Sequence, residues 1–221
     1  MEEKTKEKVE NFVKKLKEIL GEKLKSCIVY GSVAKGTYKE GMSDINMIVV
    51  VDEVDYDEIE KIKNNLSKIA IKNMIKVFFF TDWFLSSSSD VFSVEWKDIK
   101  ENHIVVYGED ITEKITVKEE NLRIQLERES KQNYLSFQQG LLFEKDLLFL
   151  LSNSIKNLKL ILKDIDLLTE EKITPPEYFK KVEMAEKRKE RISKEELKKI
   201  AKQHFNFLSK VIRLIDKGGK I

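Results

Sequence analysis

The segment from Ile45 to Val51 constrains the fold more than any other part of the sequence. Six of its seven residues are apolar, and Asn46 is the exception. Because side chains alternate between the two faces of a strand, such a run is expected only where both faces of the sheet are covered. The segment therefore predicts a central strand in a layered domain that contains helices as well as strands.

Helix and strand patterns alternate around this segment. Apolar residues at helical spacing predict helices over residues 4–20 and 56–71. Short apolar runs predict further strands at 27–30, 75–80, 92–96 and 104–107. The first half of the chain is thus predicted to form an α/β (α+β) mixed sheet with flanking helices.

No strand pattern recurs beyond about residue 115. Leu and Ile at helical spacing predict an all-α helical bundle in the second half. Its helices are expected at 122–143, at 146–168, after Pro175, and after a capping box that begins at Ser193. We therefore predict two domains, residues 1–115 and residues 116–221.

Charge and cysteine content exclude several classes of protein. The 41 basic and 39 acidic residues leave a net charge of +2, so whole-chain charge indicates neither a nucleic acid nor a membrane partner. Cys27 is the only cysteine, which excludes an intrachain disulfide and favours a reducing compartment, the cytoplasm. The longest run of aliphatic and aromatic residues, 147–151, is far below the ~18 residues of a membrane span.

Three of the eight glycines fall within eleven residues between the first two predicted strands: Gly31, Gly36 and Gly41. Glycine at a strand end lets backbone N–H groups approach a phosphate without a side chain in the way. Ser32 adds a hydroxyl, and Asp44 adds a carboxylate at the head of the next strand. This combination suits a metal ion that bridges a phosphate and the protein.

The same residues resemble the signature of the nucleotidyltransferase superfamily of DNA polymerase beta type. In that signature Gly-Ser is followed by a glycine-containing spacer and then by Ser-Asp-x-Asp, which opens an apolar strand. Here the matching residues are Gly31-Ser32 and Ser43-Asp44-Ile45-Asn46. The resemblance covers residues 25–51 and extends to about residue 110. The chain is also similar to bacterial and archaeal members of the family that have a C-terminal helical domain.

The resemblance implies transfer of a nucleoside monophosphate from an NTP, with ATP as the expected nucleotide, to an acceptor. Family members hold two Mg²⁺ ions with three carboxylates, two from Asp-x-Asp and a third from a neighbouring strand. Asp44 matches the first carboxylate, and Asn46 stands at the second. The predicted nucleotide-binding residues are Gly31, Ser32, Lys35 and Ser43, and a solvated surface role is the alternative for Lys35.

Asn46 keeps an oxygen ligand but removes a unit charge. At about 4 Å and an effective dielectric of about 20, that charge is worth about 4 kcal/mol, or roughly a thousandfold. For the third carboxylate we prefer Glu95, an acid between Val94 and Trp96 that is expected to be buried; Asp82 is the alternative. Two hypotheses follow, an active nucleotidyltransferase and a degenerate member that serves as a nucleotide-binding or regulatory module.

The acceptor is either a small molecule or RNA. Residues 180–202 contain ten Lys and Arg against five Glu, which suits an RNA-binding helix face or a solvated helix. A nucleic-acid-binding module is therefore a third hypothesis. The apolar helix faces also leave a homo-oligomer open.

Overall fold

The computed structural model describes residues 1–165 and 173–217. The chain divides into two compact units, Met1–Asn121 and Leu122–Ile221. The predicted domain boundary near residue 115 stays a prediction. Within the described ranges, none of the helices combines the length and the apolar character that a membrane crossing requires.

The first unit contains one four-stranded sheet and its covering helices. Its elements are α1 (Glu3–Leu20), β1 (Leu24–Tyr30), β2 (Ile45–Val51), α2 (Tyr56–Asn73), β3 (Ile75–Phe80), α3 (Asp82–Ser88), α4 (Ser93–Glu101) and β4 (His103–Gly108). The strand order is β3-β2-β1-β4. β2 is antiparallel to β1 and parallel to β3, and β1 is antiparallel to β4. The predicted mixed sheet with flanking helices is confirmed.

Both faces of the sheet are covered, as the apolar run of β2 predicts. On one face Met47 belongs to a core that includes Phe12 and Leu16 of α1. On the other face Ile48 belongs to a core that includes Leu85 of α3 and Trp96 of α4. Burial of this apolar area is the main favourable contribution to folding of the unit.

The predicted strand at Phe92–Trp96 is wrong, because these residues lead into helix α4. Ser93, Trp96 and Ile99 are buried at intervals of three residues, which is a helical spacing. The Trp96 Nε1 donates a hydrogen bond to Ser88 Oγ at 3.1 Å. Tertiary packing of the indole therefore outweighs the alternating, aromatic-rich pattern that favoured a strand.

The C-terminal part is helical, as predicted. Its helices are α5 (Glu119–Phe143), α6 (Leu147–Asp164), α7 (Tyr178–Glu186) and α8 (Lys194–Lys217). One of the two hydrogen bonds of the predicted capping box is present, since Ser193 Oγ accepts the Glu196 backbone N–H at 3.2 Å, whereas the Glu196 carboxylate pairs with Lys181. The last residues of the helix predicted at 146–168 lie outside the described residues, and packing as a bundle stays a prediction.

A buried polar cluster joins the four helices of this part through one residue from each. His204 of α8 is fully buried; its Nε2 lies 2.8 Å from Ser154 Oγ on α6, and its Nδ1 lies 3.0 Å from Tyr178 Oη on α7. Ser154 Oγ in turn donates to Asn133 Oδ1 on α5 at 2.9 Å. Burial lowers the pKa of His204 to about 4, so the ring is neutral near pH 7.

Candidate functional site

β1 ends at Tyr30 and is followed by a tight turn over residues 31–36, which we call the glycine turn. The Lys35 N–H donates to Gly31 O at 3.0 Å, and the Thr37 N–H donates to Ser32 O at 2.9 Å. Gly31 adopts a φ of 73°, a left-handed conformation that glycine reaches without steric cost. The backbone therefore turns at Gly31, the first residue after the strand.

The two halves of the sequence signature lie side by side. Tyr30 pairs with Asn46 across β1 and β2, so the end of one strand meets the beginning of the other. A Cβ atom at Gly31 would lie only 3.2 Å from the Asn46 Nδ2 atom. The glycine turn and the head of β2 thus form one local site, which we call the strand-head site.

Asp44 and Lys76 form an ion pair at this site. The Lys76 Nζ lies 2.7 Å from Asp44 Oδ2, and the Asp44 side chain is 33% exposed. Lys76 is on β3, where it pairs in parallel register with Asn46. Our sequence analysis did not identify Lys76, because the parallel pairing of β2 with β3 is not visible in a pattern of apolar residues.

Lys35 is held by a second ion pair. Its Nζ lies 2.6 Å from Asp98 Oδ2 on α4, and both side chains are partly exposed. The pair links the glycine turn to a helix that covers the sheet. Sequence analysis missed Asp98 as well, and the only available signal was the spacing of Trp96 and Ile99, which places Asp98 on a helix rather than beyond a strand.

The remaining predicted nucleotide-binding serines differ in their surroundings. Ser43 Oγ accepts the Lys39 N–H at 3.2 Å, and the Ser43 N–H donates to Lys39 O at 2.9 Å, so Ser43 closes the loop before β2. Within the part of the chain that the structure describes, the Ser32 hydroxyl has no hydrogen-bond partner. Ser32 therefore keeps its hydroxyl available to a ligand.

Asp82 does not lie at the strand-head site. It opens α3 after the carboxyl end of β3, and its Oδ2 lies 3.0 Å from the Nζ of Lys25 at the start of β1. Because β3 runs parallel to β2, the length of the seven-residue β2, about 20 Å, separates Asp82 from Asp44. The alternative assignment of Asp82 as the third carboxylate is therefore wrong.

Glu95 is not the buried strand acid that the sequence led us to expect. It lies in the first turn of α4 and is exposed. The neighbouring Trp96 packs against Phe80, at the far end of β3 from Lys76, with ring centroids 5.6 Å apart. The burial argument for Glu95 is therefore wrong, and its assignment as a catalytic and metal-binding residue stays a prediction.

The donor set at the strand-head site determines which metal ions it suits. Among residues 1–165 and 173–217, the side chains of His, Cys, Asp and Glu form no group of three or more that would hold a metal ion. The site itself offers the Asp44 carboxylate and the Asn46 amide. One carboxylate suits a single Mg²⁺ that arrives with substrate phosphates, whereas two Mg²⁺ ions need more negative charge.

A family model described as "Nucleotidyltransferase domain" matches residues 9–138, more than half of the chain. The chain belongs to this family. The match includes the glycine turn, the head of β2 and helix α4. The family that the Gly-Ser and Ser-Asp-x-Asn motifs resemble is thereby confirmed for this nucleotidyltransferase-domain protein.

One solved structure supports the same fold. The structure of spectinomycin adenyltransferase AAD(9) from Enterococcus faecialis with ATP and spectinomycin matches with a TM-score of 0.60 and 16% identity, over 94% of this chain and 98% of that one. A toxin-antitoxin structure with AMP-PNP matches with a TM-score of 0.33 and 18% identity, over 61% and 95% of the two chains, and carries no conclusion. No curated protein sequence matches the chain.

Proposed function

We propose that this nucleotidyltransferase-domain protein binds an NTP, with ATP as the first candidate, at the strand-head site and transfers its nucleoside monophosphate to an acceptor. The observation that carries the proposal is the close approach of Gly31 to Asn46, which brings the glycine turn beside the head of β2. The spectinomycin adenyltransferase that shares the fold was solved with ATP, which makes ATP the first nucleotide to test.

The glycine turn supplies donors for phosphate oxygens. Among the described residues, the backbone N–H groups of Ser32, Val33 and Ala34 have no hydrogen-bond partner, and the Ser32 hydroxyl lies beside them. Successive free N–H groups at a turn form an anion-binding concavity. These donors would orient the triphosphate so that its α-phosphate faces the acceptor.

Asp44 and Asn46 would hold one Mg²⁺ through their side-chain oxygens. When bound, the ion would neutralise phosphate charge and lower the pKa of the attacking hydroxyl. The site does not fit a second Mg²⁺, because Asn46 is uncharged and the Lys76 ammonium lies beside Asp44. We therefore derive no step that requires two metal ions.

The ion pair between Asp44 and Lys76 favours a second candidate function. A carboxylate already paired with an ammonium is a weaker metal ligand, and Asn46 removes a further charge. In this candidate the protein binds a nucleotide without turning it over and serves as a regulatory or nucleic-acid-binding module. Release of pyrophosphate distinguishes the two candidates.

Substitution of Asp44 tests the proposal. With NTP at ~100 times its dissociation constant, binding raises the free energy of unfolding by about 2.7 kcal/mol. Each kcal/mol raises the Tm of a chain of this size by roughly 2–4 °C. We expect a thermal shift with ATP that is larger in Mg²⁺ than in EDTA, and we expect Asp44→Ala to lose this Mg²⁺-dependent increase. Asp52→Ala is the matched control, since Asp52 pairs with Lys25 at the opposite end of the sheet.

Four results would decide between the candidates. Pyrophosphate release that Asp44→Ala abolishes supports transfer. A thermal shift without pyrophosphate release, in the presence of candidate small-molecule and RNA acceptors, supports the second candidate. No thermal shift with any NTP contradicts both, whereas RNA affinity that falls steeply with salt and ignores Asp44→Ala supports a nucleic-acid-binding module alone.

The cytoplasm is the compartment in which we propose that the protein works. Cys27 is a free, fully buried cysteine, and burial raises the pKa of its thiol to about 12. Such a thiol is an inert part of the core that needs no oxidising partner. We propose no membrane partner, a small molecule or RNA as the acceptor, and a homo-oligomer as a state to test by light scattering.

A further inference from the structure

Lys76 stands where the family resemblance implies a carboxylate on the neighbouring strand. Its Cα pairs with that of Asn46 across parallel β2 and β3, and paired residues project to the same face of a sheet. The ammonium and the Asn46 amide therefore share one face and one end of the sheet, beside the glycine turn. At this position the chain has a cation instead of an anion.

The Lys76 ammonium is positioned by one ion pair and keeps further hydrogen-bond donors accessible. One contact, with Asp44 Oδ2 at 2.7 Å, positions it at the strand head. An ammonium group has three donors, and among the described residues this is its sole ion-pair or hydrogen-bond partner. The Lys76 side chain is 65% exposed, so the other donors are accessible to a ligand.

The charges of the three side chains at the site sum to zero. Asp44 is negative, Lys76 is positive and Asn46 is neutral. Three carboxylates attract two divalent cations, whereas a neutral group that contains an accessible ammonium attracts a phosphate anion directly. The arrangement therefore favours recognition of the triphosphate by the protein itself.

We infer that Lys76 is the resident cation of the strand-head site and binds the triphosphate of the nucleotide, where relatives with three carboxylates rely on a second Mg²⁺ ion. This inference rests on the proposed function, because it assumes that an NTP binds beside the glycine turn. Its consequence is that nucleotide affinity survives removal of divalent cations. The residue is accordingly a ligand-binding residue that no carboxylate motif reveals.

Calorimetric titration with ATP, in EDTA and in Mg²⁺, tests the inference. We expect the wild-type dissociation constant in EDTA to lie within about tenfold of the value in Mg²⁺, and Lys76→Met to raise the EDTA value by at least about tenfold. Lys76→Arg retains the charge and should stay near the wild type. Lys25→Met is the matched control, since Lys25 is a strand lysine paired with Asp52 and Asp82 at the other end of the sheet.

Asp44→Asn gives a second, independent readout. Without Mg²⁺ the Asp44 carboxylate repels phosphate, so this variant should bind ATP in EDTA at least as tightly as the wild type does. In Mg²⁺ the same variant should bind more weakly. Because Asp44→Asn also releases Lys76 from its ion pair, a phosphate-binding Lys76 predicts that the gain in EDTA disappears when Lys76→Met is added.

Failure of the Lys76 assignment and failure of the proposed function give different results. ATP binding that requires Mg²⁺, or equal affinities of Lys76→Met and Lys25→Met in EDTA, overturns the assignment of Lys76 and leaves the proposed function standing. No binding of ATP by the wild type under either condition, with the other NTPs equally inert, overturns both.

Discussion

Gly31 meets two constraints at a single residue. Its φ of 73° disfavours any side chain, and a Cβ atom would lie 3.2 Å from Asn46 Nδ2. Gly36 shares the first constraint, with a φ of 69°, but has no atom within 4 Å of a Cβ position. The two glycines therefore separate backbone strain from crowding at the strand-head site.

We expect Gly31→Ala to lower the free energy of unfolding by more than Gly36→Ala does. A left-handed conformation costs a residue with a side chain about 1–2 kcal/mol, and Gly31→Ala adds the displacement of Asn46. Urea denaturation measures both variants. Equal losses, or a loss that Asn46→Ala does not reduce in the double variant, would show that Asn46 gives way without cost.

Individual residues also show where sequence analysis stops. The motif residues Gly31 and Asn46 could be assigned to one site, because a family signature fixes their order along the chain. Lys76 could not, since its position depends on which strand pairs with β2 and in which register. Asp82 was misplaced for the same reason, because a residue beyond β3 lies at either end of β2 until the strand direction is known.

At the scale of elements, the four C-terminal helices meet at His204. Each nitrogen of the ring has a partner, Ser154 on α6 and Tyr178 on α7. Burial holds the pKa of His204 at about 4, against 6.5 for an unperturbed histidine. The unfolded chain therefore binds a proton more readily than the folded chain between these two pH values.

Stability should consequently fall as the pH drops. The contribution of the neutral buried ring is fully present above about pH 6.5 and is lost progressively toward pH 4, about 3 kcal/mol in all. His204→Asn should be less stable at pH 7 and should lack this part of the pH dependence. Denaturation at several pH values measures it; an unchanged slope in His204→Asn would contradict the prediction.

Element types were predictable where one pattern dominated. The apolar run of β2 and the spacing of α1 leave a single interpretation, and both elements occur as predicted. The segment Phe92–Trp96 fits both a strand and a helix. Trp96 belongs to an alternating pattern of apolar residues, which favours a strand, and to a three-residue spacing, which favours a helix. Only the contact of Trp96 with Ser88 and Phe80, which is tertiary, decides for the helix.

At the scale of the whole molecule, the first unit contains its own core. Among the residues that the structure describes, the two apolar clusters on either face of its sheet are formed by residues between Val9 and Val117. A unit that buries its apolar surface within itself meets the main requirement for independent folding. The predicted separation into two domains can therefore be tested on a fragment.

We expect residues 1–121 to fold alone, because neither core cluster needs the C-terminal helices. The measurement is a urea titration followed by tryptophan fluorescence, since Trp96 is buried in this unit. A single cooperative transition would support the two-domain prediction. A fragment that shows no transition would mean that the sheet depends on the second half of the chain.

The position of β3 at one margin of the sheet has a consequence for handling the protein in solution. An outer strand presents unpaired backbone groups that other chains can extend, and Ile75–Phe80 is apolar except for Lys76. A single charge of this kind acts as a gatekeeper against self-association. Lys76→Met therefore leaves an uncharged, apolar edge strand. Light scattering on that variant should reveal aggregates that Lys76→Arg does not form.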